Sequence, residues 1–215
     1  MPVDYTRKPL YRMIHIDNAE YVLRNGLCTR EHSSADPDYI NIGDSHLIAQ
    51  RGEYSVGINP PGGNLGDYIP FYFAGHSPML LNITTGWRGI TRRQQQDIIF
   101  IVTSVRRIME NCDQWCFTDG HAKHTITAFY NNVDDMSNLD WDTIPLRVWR
   151  NTLDDMDRQR KKEAEFLIKD FAPVECIWKI YVFNENSRQR IQQIVDNLSL
   201  NIEVRIDTDK ILYYP

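Results

Sequence analysis

Two stretches of this chain, residues 28–64 and 111–152, carry no sustained periodicity and restrict regular structure to the segments around them. The first is polar and rich in Gly, Pro, Asn, Asp and Ser. The second holds Gly120, many Asp and Asn, and the aromatics Trp115, Phe117, Phe129, Tyr130, Trp141 and Trp149. Connections beyond about 15 residues without structure of their own are uncommon in compact domains unless they serve function or are disordered. Both stretches are therefore read as long loops on a smaller scaffold.

The remaining segments favour strands. Residues 10–16 read as a first strand, 98–102 as a buried one, 166–168 as another, and 177–183 as the clearest. Ile202, Val204 and Ile206 alternate as a further strand, and residues 211–214 add a last one. Asp17 with Glu20 is a capping-box pattern for a short helix that Gly26 ends in a left-handed turn. Residues 91–97 suit a helical turn and 153–164 a charged helix. Ser104 caps a turn carrying Val105 and Ile108, or the preceding strand runs through it. Ser187 caps a helix whose Ile191, Ile194, Val195 and Leu198 form one apolar stripe. In residues 66–83, Pro70 and Pro78 suit edge strands or bends. No glycine fingerprint opens a βαβ unit and no phosphate-binding loop motif occurs. The fold class is α+β, with a mixed or antiparallel sheet and flanking helices.

With 215 residues, the chain is long enough for one domain with a sizeable core, expected to span residues 1–215. A net charge of −5 excludes coating nucleic acid by bulk charge but leaves room for a local basic groove. Basic residues are 17 Arg against 7 Lys, a balance that suits directed contacts to carboxylate or phosphate. No run approaches the roughly 20 apolar residues that span a bilayer. The opening residues Met1 to Pro9 lack an apolar signal core, and four cysteines are too few for a disulfide scaffold. A cytoplasmic protein without membrane association is expected.

Four groups carry possible chemistry. Arg51, followed by Gly52, is either a solvated loop charge or a fork for pyrophosphate or carboxylate. Glu165 stands at the mouth of an apolar strand, where a carboxylate costs desolvation unless it has a partner or a task. Alternation places it with Leu167 on one face, and Phe166 with Ile168 on the other. Cys112, Cys116, His121 and His124 superficially resemble a zinc set, but the spacing between the pairs is far shorter than in a finger, so no metal is expected. Basic patches (Arg88, Arg92 and Arg93; Arg106 and Arg107; Arg147 and Arg150; Arg158, Arg160, Lys161 and Lys162) are solvated faces or nucleic-acid contacts, with Trp87, Tyr130 and Trp149 placed to stack on unpaired bases.

Five ordered blocks resemble the DarT-type DNA ADP-ribosyltransferases, toxins of toxin–antitoxin pairs. They are YRMIHIDNAEYVLRNGL at 11–27, IGD at 42–44 ahead of Arg51, LGDYIPFYFAGHSPML at 65–80, QQQDIIFIV at 94–102 and KKEAEFLI at 161–168. The resemblance implies an ADP-ribosyltransferase-like sheet, with residues 28–64 as an NAD-covering loop and 111–152 as a substrate-facing loop. It implies transfer of ADP-ribose from NAD, as co-substrate, to thymine in single-stranded DNA, with Arg51 and Glu165 catalytic. NAD contacts are implied at His15, Ile16, Asp17, Asn18, Gly43, Asp44 and Arg51, and in the aromatic block at Tyr68, Phe71 and Tyr72. His121, His124, Arg147, Arg150, Arg158 and Arg160 are the DNA-binding candidates. The implied partners are single-stranded DNA and a cognate antitoxin. The alternatives are an NAD-dependent transferase acting on RNA or protein, and a nonenzymatic nucleic-acid-binding module.

Overall fold

A computed structural model describes residues 3–215; Met1, Pro2 and the side chain of Arg88, a member of one basic patch, lie outside the described residues. In chain order, β1 (Pro9–His15) leads through a short 3-10 turn into α1 (Ala19–Asn25) and β2 (Leu27–Cys28). Next come α2 (Ser45–Arg51), β3 (Tyr68–Tyr72), α3 (Pro78–Thr85), β4 (Ile98–Ser104) and α4 (Val105–Asn111). Strands β5 (Trp115–Thr118) and β6 (Phe129–Tyr130) precede α5 (Arg158–Lys162), β7 (Glu165–Lys169) and β8 (Phe171–Ala172). The chain continues as β9 (Lys179–Val182), α6 (Glu185–Asn197) and β10 (Glu203–Ile206).

Eight strands form one sheet in the order β10-β9-β4-β1-β3-β7-β5-β6, while β2 pairs with β8 in a small second sheet. Among the described residues, β9 and β10 are the one parallel pair, joined by α6 in a βαβ unit. The expected mixed α+β sheet with flanking helices is therefore present. Strand β4 reads so plainly in sequence because it is buried on both faces. Its Ile99 and Ile101 join the cluster beneath α1, α4 and α6, and Ile98 and Phe100 join a second cluster with Leu80 and Ile83 of α3. A third cluster, on the face of Leu167, holds Val56, Leu65, Tyr68 and Cys116. Phe166 and Ile168 belong to the first cluster, as alternation predicts. Among the described residues no helix is long and apolar enough to cross a membrane.

Several local expectations change. Pro70 lies in the middle of the sheet, not on an edge. The β1–β3 ladder holds a single Cα pair, Tyr11 with Tyr72, so the strands diverge beside the proline. Arg12 Nη1 donates to the Pro70 carbonyl across 2.9 Å, so the missing N–H faces a gap rather than a ladder. Pro78 is the first residue of α3, with Ser77 as cap. The Asp17–Glu20 capping box does not form, because α1 starts after a 3-10 turn and His15 Nδ1 takes the Asp17 N–H. Gly26 ends α1 at φ +86° but with extended ψ, pressed against the Ala172 carbonyl.

Asn184, rather than Ser187, caps α6; Ser187 instead donates its hydroxyl to the Gln96 carbonyl. Residues 211–214 are not a strand, since Asp207 accepts the N–H groups of Ile211, Leu212 and Tyr213. The charged helix expected over 153–164 is confined to Arg158–Lys162. The two loop stretches also hold regular elements: α2 in the first, β5 and β6 in the second.

Candidate active site

The site forms on one sheet face, between the second and third clusters. Register pairs Tyr72 with Glu165 and Pro70 with Leu167, so Tyr72 and Glu165 share the face of Leu167. Tyr11 stands opposite Tyr72 on the other side and packs against the second cluster. Glu165 therefore occupies a seam in the apolar layer, where its side chain retains no more than 1% exposure. Such a carboxylate needs donors. Arg51 Nη1 donates to Oε2 at 3.0 Å and the Ala122 N–H to Oε1 at 2.9 Å. The backbone of Glu165 is fixed too, its N–H donating to Thr118 Oγ1 across 3.0 Å.

Arg51 arrives on the last turn of α2, the one helix inside the 28–64 stretch. Asp44 caps that helix by accepting the His46 and Leu47 N–H groups at 2.8 and 3.2 Å. Beyond Arg51 the chain is pressed against Gly66, where a Cβ would lie 2.9 Å from the Gly52 Cα, so only glycine permits this approach. Lys123 donates to Gln50 on the same turn, tying α2 to the loop that supplies Ala122. Burial works against the Arg51 cation, but the Glu165 carboxylate outweighs it and holds the guanidinium above its ordinary pKa. Nη2 of Arg51 is buried without a hydrogen-bond partner, an open donor at the heart of the site.

Two neighbours complete the arrangement. Burial, then the Glu165 charge, pushes the Tyr72 phenol well up, so it stays protonated and able to donate. Burial also lowers the His121 pKa, with Glu165 opposing and Arg51 reinforcing the shift. His121 Nδ1 accepts the Lys123 N–H at 3.2 Å. In the neutral ring the proton then sits on Nε2, which makes that atom a donor. Together these groups provide a fixed carboxylate, a permanent cation and two neutral donors around one point.

The other sequence-predicted residues divide. His15 is buried at the end of β1, its pKa lowered by burial. Asn18 spends its amide on Ile40, accepting that N–H and donating to that carbonyl, each at 2.9 Å. It thus anchors the 28–64 stretch instead of offering a free amide. Gly43 and Asp44 lead into α2, where Asp44 acts as its cap.

Four expected NAD contacts are otherwise engaged. Ile16 and Phe71 are in the first cluster, Phe71 on the opposite sheet face. Asp17 pairs with Arg190 at 2.6 Å, and Tyr68 is buried with its hydroxyl on the Gly62 carbonyl. Tyr72 is therefore the residue of the aromatic block that faces the site.

Of the DNA-binding candidates, His124 and Arg150 are exposed, and Arg147 is exposed while donating to the Lys210 carbonyl. Arg158 lies 3.9 Å from Asp155. Arg160 differs from these: its side chain is 9% exposed and is taken up by Asp119, Asp157 and Thr127, so it braces the loop. Cys112 sits beside Cys176, whereas Cys116 is in the third cluster. Among the described residues no three His, Cys, Asp or Glu side chains are grouped to hold a metal.

Sequence reading missed Thr118 and the Ala122 N–H. Thr118 carried a signal, a polar residue ending the run Trp-Cys-Phe-Thr. A backbone donor carries none.

The sequence profile of the family described as ssDNA thymidine ADP-ribosyltransferase, DarT, matches residues 11–214. A DNA ADP-ribosyl transferase of Escherichia coli O127:H6 is 32% identical over 198 residues, covering 91% of this chain and 90% of that one. Another, from Thermus sp. strain 2.9, is 31% identical over 208 residues, with 96% of each covered. The fold is similar to that of Thermus sp. 2.9 DarT in complex with ADP-ribosylated ssDNA, with TM-score 0.85, 28% identity and coverage of 99% of this chain and 100% of that one. The NAD+ complex of the Thermus sp. 2.9 protein matches with TM-score 0.80 and 27% identity over the same shares.

Proposed function

The chain belongs to the DarT family of single-stranded-DNA thymidine ADP-ribosyltransferases, and on that premise we propose that it transfers ADP-ribose from NAD to thymine through a centre built on Arg51 and Glu165. The observation that carries this reading is the 3.0 Å pair between two side chains 114 residues apart in sequence, with Glu165 1% and Arg51 15% exposed. The unpartnered Arg51 Nη2 fits an anionic or carbonyl ligand. His15 and the 28–64 stretch bound the NAD side, and 111–152 bounds the DNA side.

NAD supplies a glycosidic C–N bond whose cleavage releases nicotinamide and leaves the ribose carbon electrophilic. Glu165, pinned by Arg51 and Ala122, hydrogen-bonds the ribose and stabilises positive charge as it develops there. Arg51 stays charged, so it cannot accept the thymine ring proton. It polarises the base and offsets the anion that forms, while Glu165 takes the proton. Tyr72 and His121 Nε2 are donors for thymine carbonyl oxygens. An unpaired strand presents its base without the cost of extracting it from a duplex.

Family membership also supports a toxin role in the cytoplasm, with a cognate antitoxin as partner. The test offers labelled NAD with single-stranded DNA, duplex DNA, RNA and protein separately. Labelling of single-stranded DNA supports the reading; labelling of RNA or protein alone overturns it.

A further inference from the structure

Away from the active site, the thiols of Cys112 and Cys176 face each other with their sulfurs 3.6 Å apart. Cys112 ends α4 and Cys176 lies in the 3-10 turn Val174–Cys176, so two different elements meet there. The two are unequal. Cys112 also lines a cavity of about 330 Å3, along with Asn111, Asp113, Gln114, Lys169 and Phe171. Cys176 is 1% exposed and does not reach that cavity. The two thiols share one hydrogen bond, and either sulfur can be its donor. An incoming reagent therefore meets Cys112, which keeps 9% exposure on the cavity, and Cys176 stands behind it. Neither the ADP-ribosyl transfer nor the active site uses either residue.

The geometry points to a thiol–disulfide exchange site, with Cys112 as the entry point for small-molecule disulfides and Cys176 as the resolving partner. Cys112 thiolate attacks one sulfur of a disulfide R–S–S–R, forming a mixed disulfide and expelling RS⁻. Cys176 then attacks the Cys112 sulfur, closing the intramolecular bond, and its proton goes to the second RS⁻ as that group leaves. The two protein thiols are oxidised and R–S–S–R is reduced to two thiols. The new bond closes a ring from residue 112 to 176 that encloses Thr118, Ala122 and Glu165, so it restrains the whole substrate-facing segment.

The experiment incubates folded, reduced protein with oxidised glutathione at near-neutral pH, followed by alkylation and peptide mass mapping. The expected product is the Cys112–Cys176 cross-linked peptide, with a melting temperature raised by on the order of 5 °C that reverts on reduction. In Cys176→Ser the expected product is glutathione retained on Cys112. Glutathione on Cys28 alone overturns the assignment, as does a Cys112 adduct that persists unresolved in the natural sequence. So does cross-linking that appears only in urea. The map on the unmutated protein decides the matter even if the variant fails to fold.

Discussion

Asp44 and Arg51 stand at opposite ends of one seven-residue helix, the carboxylate closing its first turn and the guanidinium projecting from its last. A helix this short has little stability of its own, so its cap and its packing hold the arginine in place. Asp44→Ala removes a cap worth about 1 kcal/mol, confined to a helix that contributes no buried residue to the core. The expected result is a melting temperature within a few degrees of the parent, with transferase activity reduced because Arg51 is less often in place. Calorimetry and initial rates, measured together, separate the two effects.

Replacing Arg51 should act on both stability and chemistry. Arg51→Met leaves Glu165 buried without its counter-ion, at a cost of about 3–5 kcal/mol. Arg51→Lys keeps the charge but loses the planar fork, including the Nη2 that has no protein partner. The lysine variant should fold and should lose on the order of 100-fold in kcat, the usual scale for one donor lost from a charge-stabilising site. Denaturant melts and single-turnover rates check both.

His121 gives a pH signature. Its folded pKa is depressed by burial, so the folded state holds fewer protons there than the unfolded chain does. Its contribution to stability is therefore intact above the unfolded value of about 6.5 and is lost as pH falls through the lower folded value. The donor role at Nε2 with Nδ1 accepting needs the neutral ring, so kcat/KM should fall over the same acid window. In His121→Gln that component of the acid limb should vanish; a profile of unchanged shape contradicts the assignment.

Charge substitutions should divide by burial. Arg150 is exposed, so Arg150→Gln should leave stability alone and flatten the salt dependence of single-stranded DNA binding by about 0.7 in the log–log slope, one phosphate contact. Arg160→Gln should instead lower the melting temperature, because Asp119 and Asp157 lose their shared cation. Fluorescence titrations across a salt series, with thermal melts, distinguish the pair.

Much of the fold was legible because its strands are apolar on at least one face. The run at β4 and the alternation around Glu165 and Leu167 both carry through to the structure. Pro70 misled because strand interiors exclude proline only where a ladder needs its N–H, and here the neighbouring strand has diverged. Helix α2 was hidden because it is about two turns long and its apolar residues, Leu47, Ile48 and Ala49, are consecutive and none is buried, leaving no apolar stripe to read. Strand β6, of two residues, is too short for periodicity to register, and β5 lies in a stretch where Asp and Asn break the pattern on both sides. At the site, residue types alone left Arg51 and Glu165 as separate candidates; it was the resemblance that put both in one centre, and the structure brings them to 3.0 Å. Phe71 and Tyr72 show the limit of a motif, since adjacent positions in one aromatic block face opposite sides of the sheet.

The central claim is that the Glu165 carboxylate drives transfer to thymine. Its most direct test is mass spectrometry of a short single-stranded oligonucleotide with one thymine, after incubation with NAD and either the parent protein or Glu165→Gln. That variant retains the size and hydrogen-bonding reach of the side chain and removes its charge and its basicity. One added ADP-ribose, localised to the thymine base, is expected with the parent protein and none above background with the variant. Equal modification by both proteins, or ADP-ribose placed on another base, would contradict the claim.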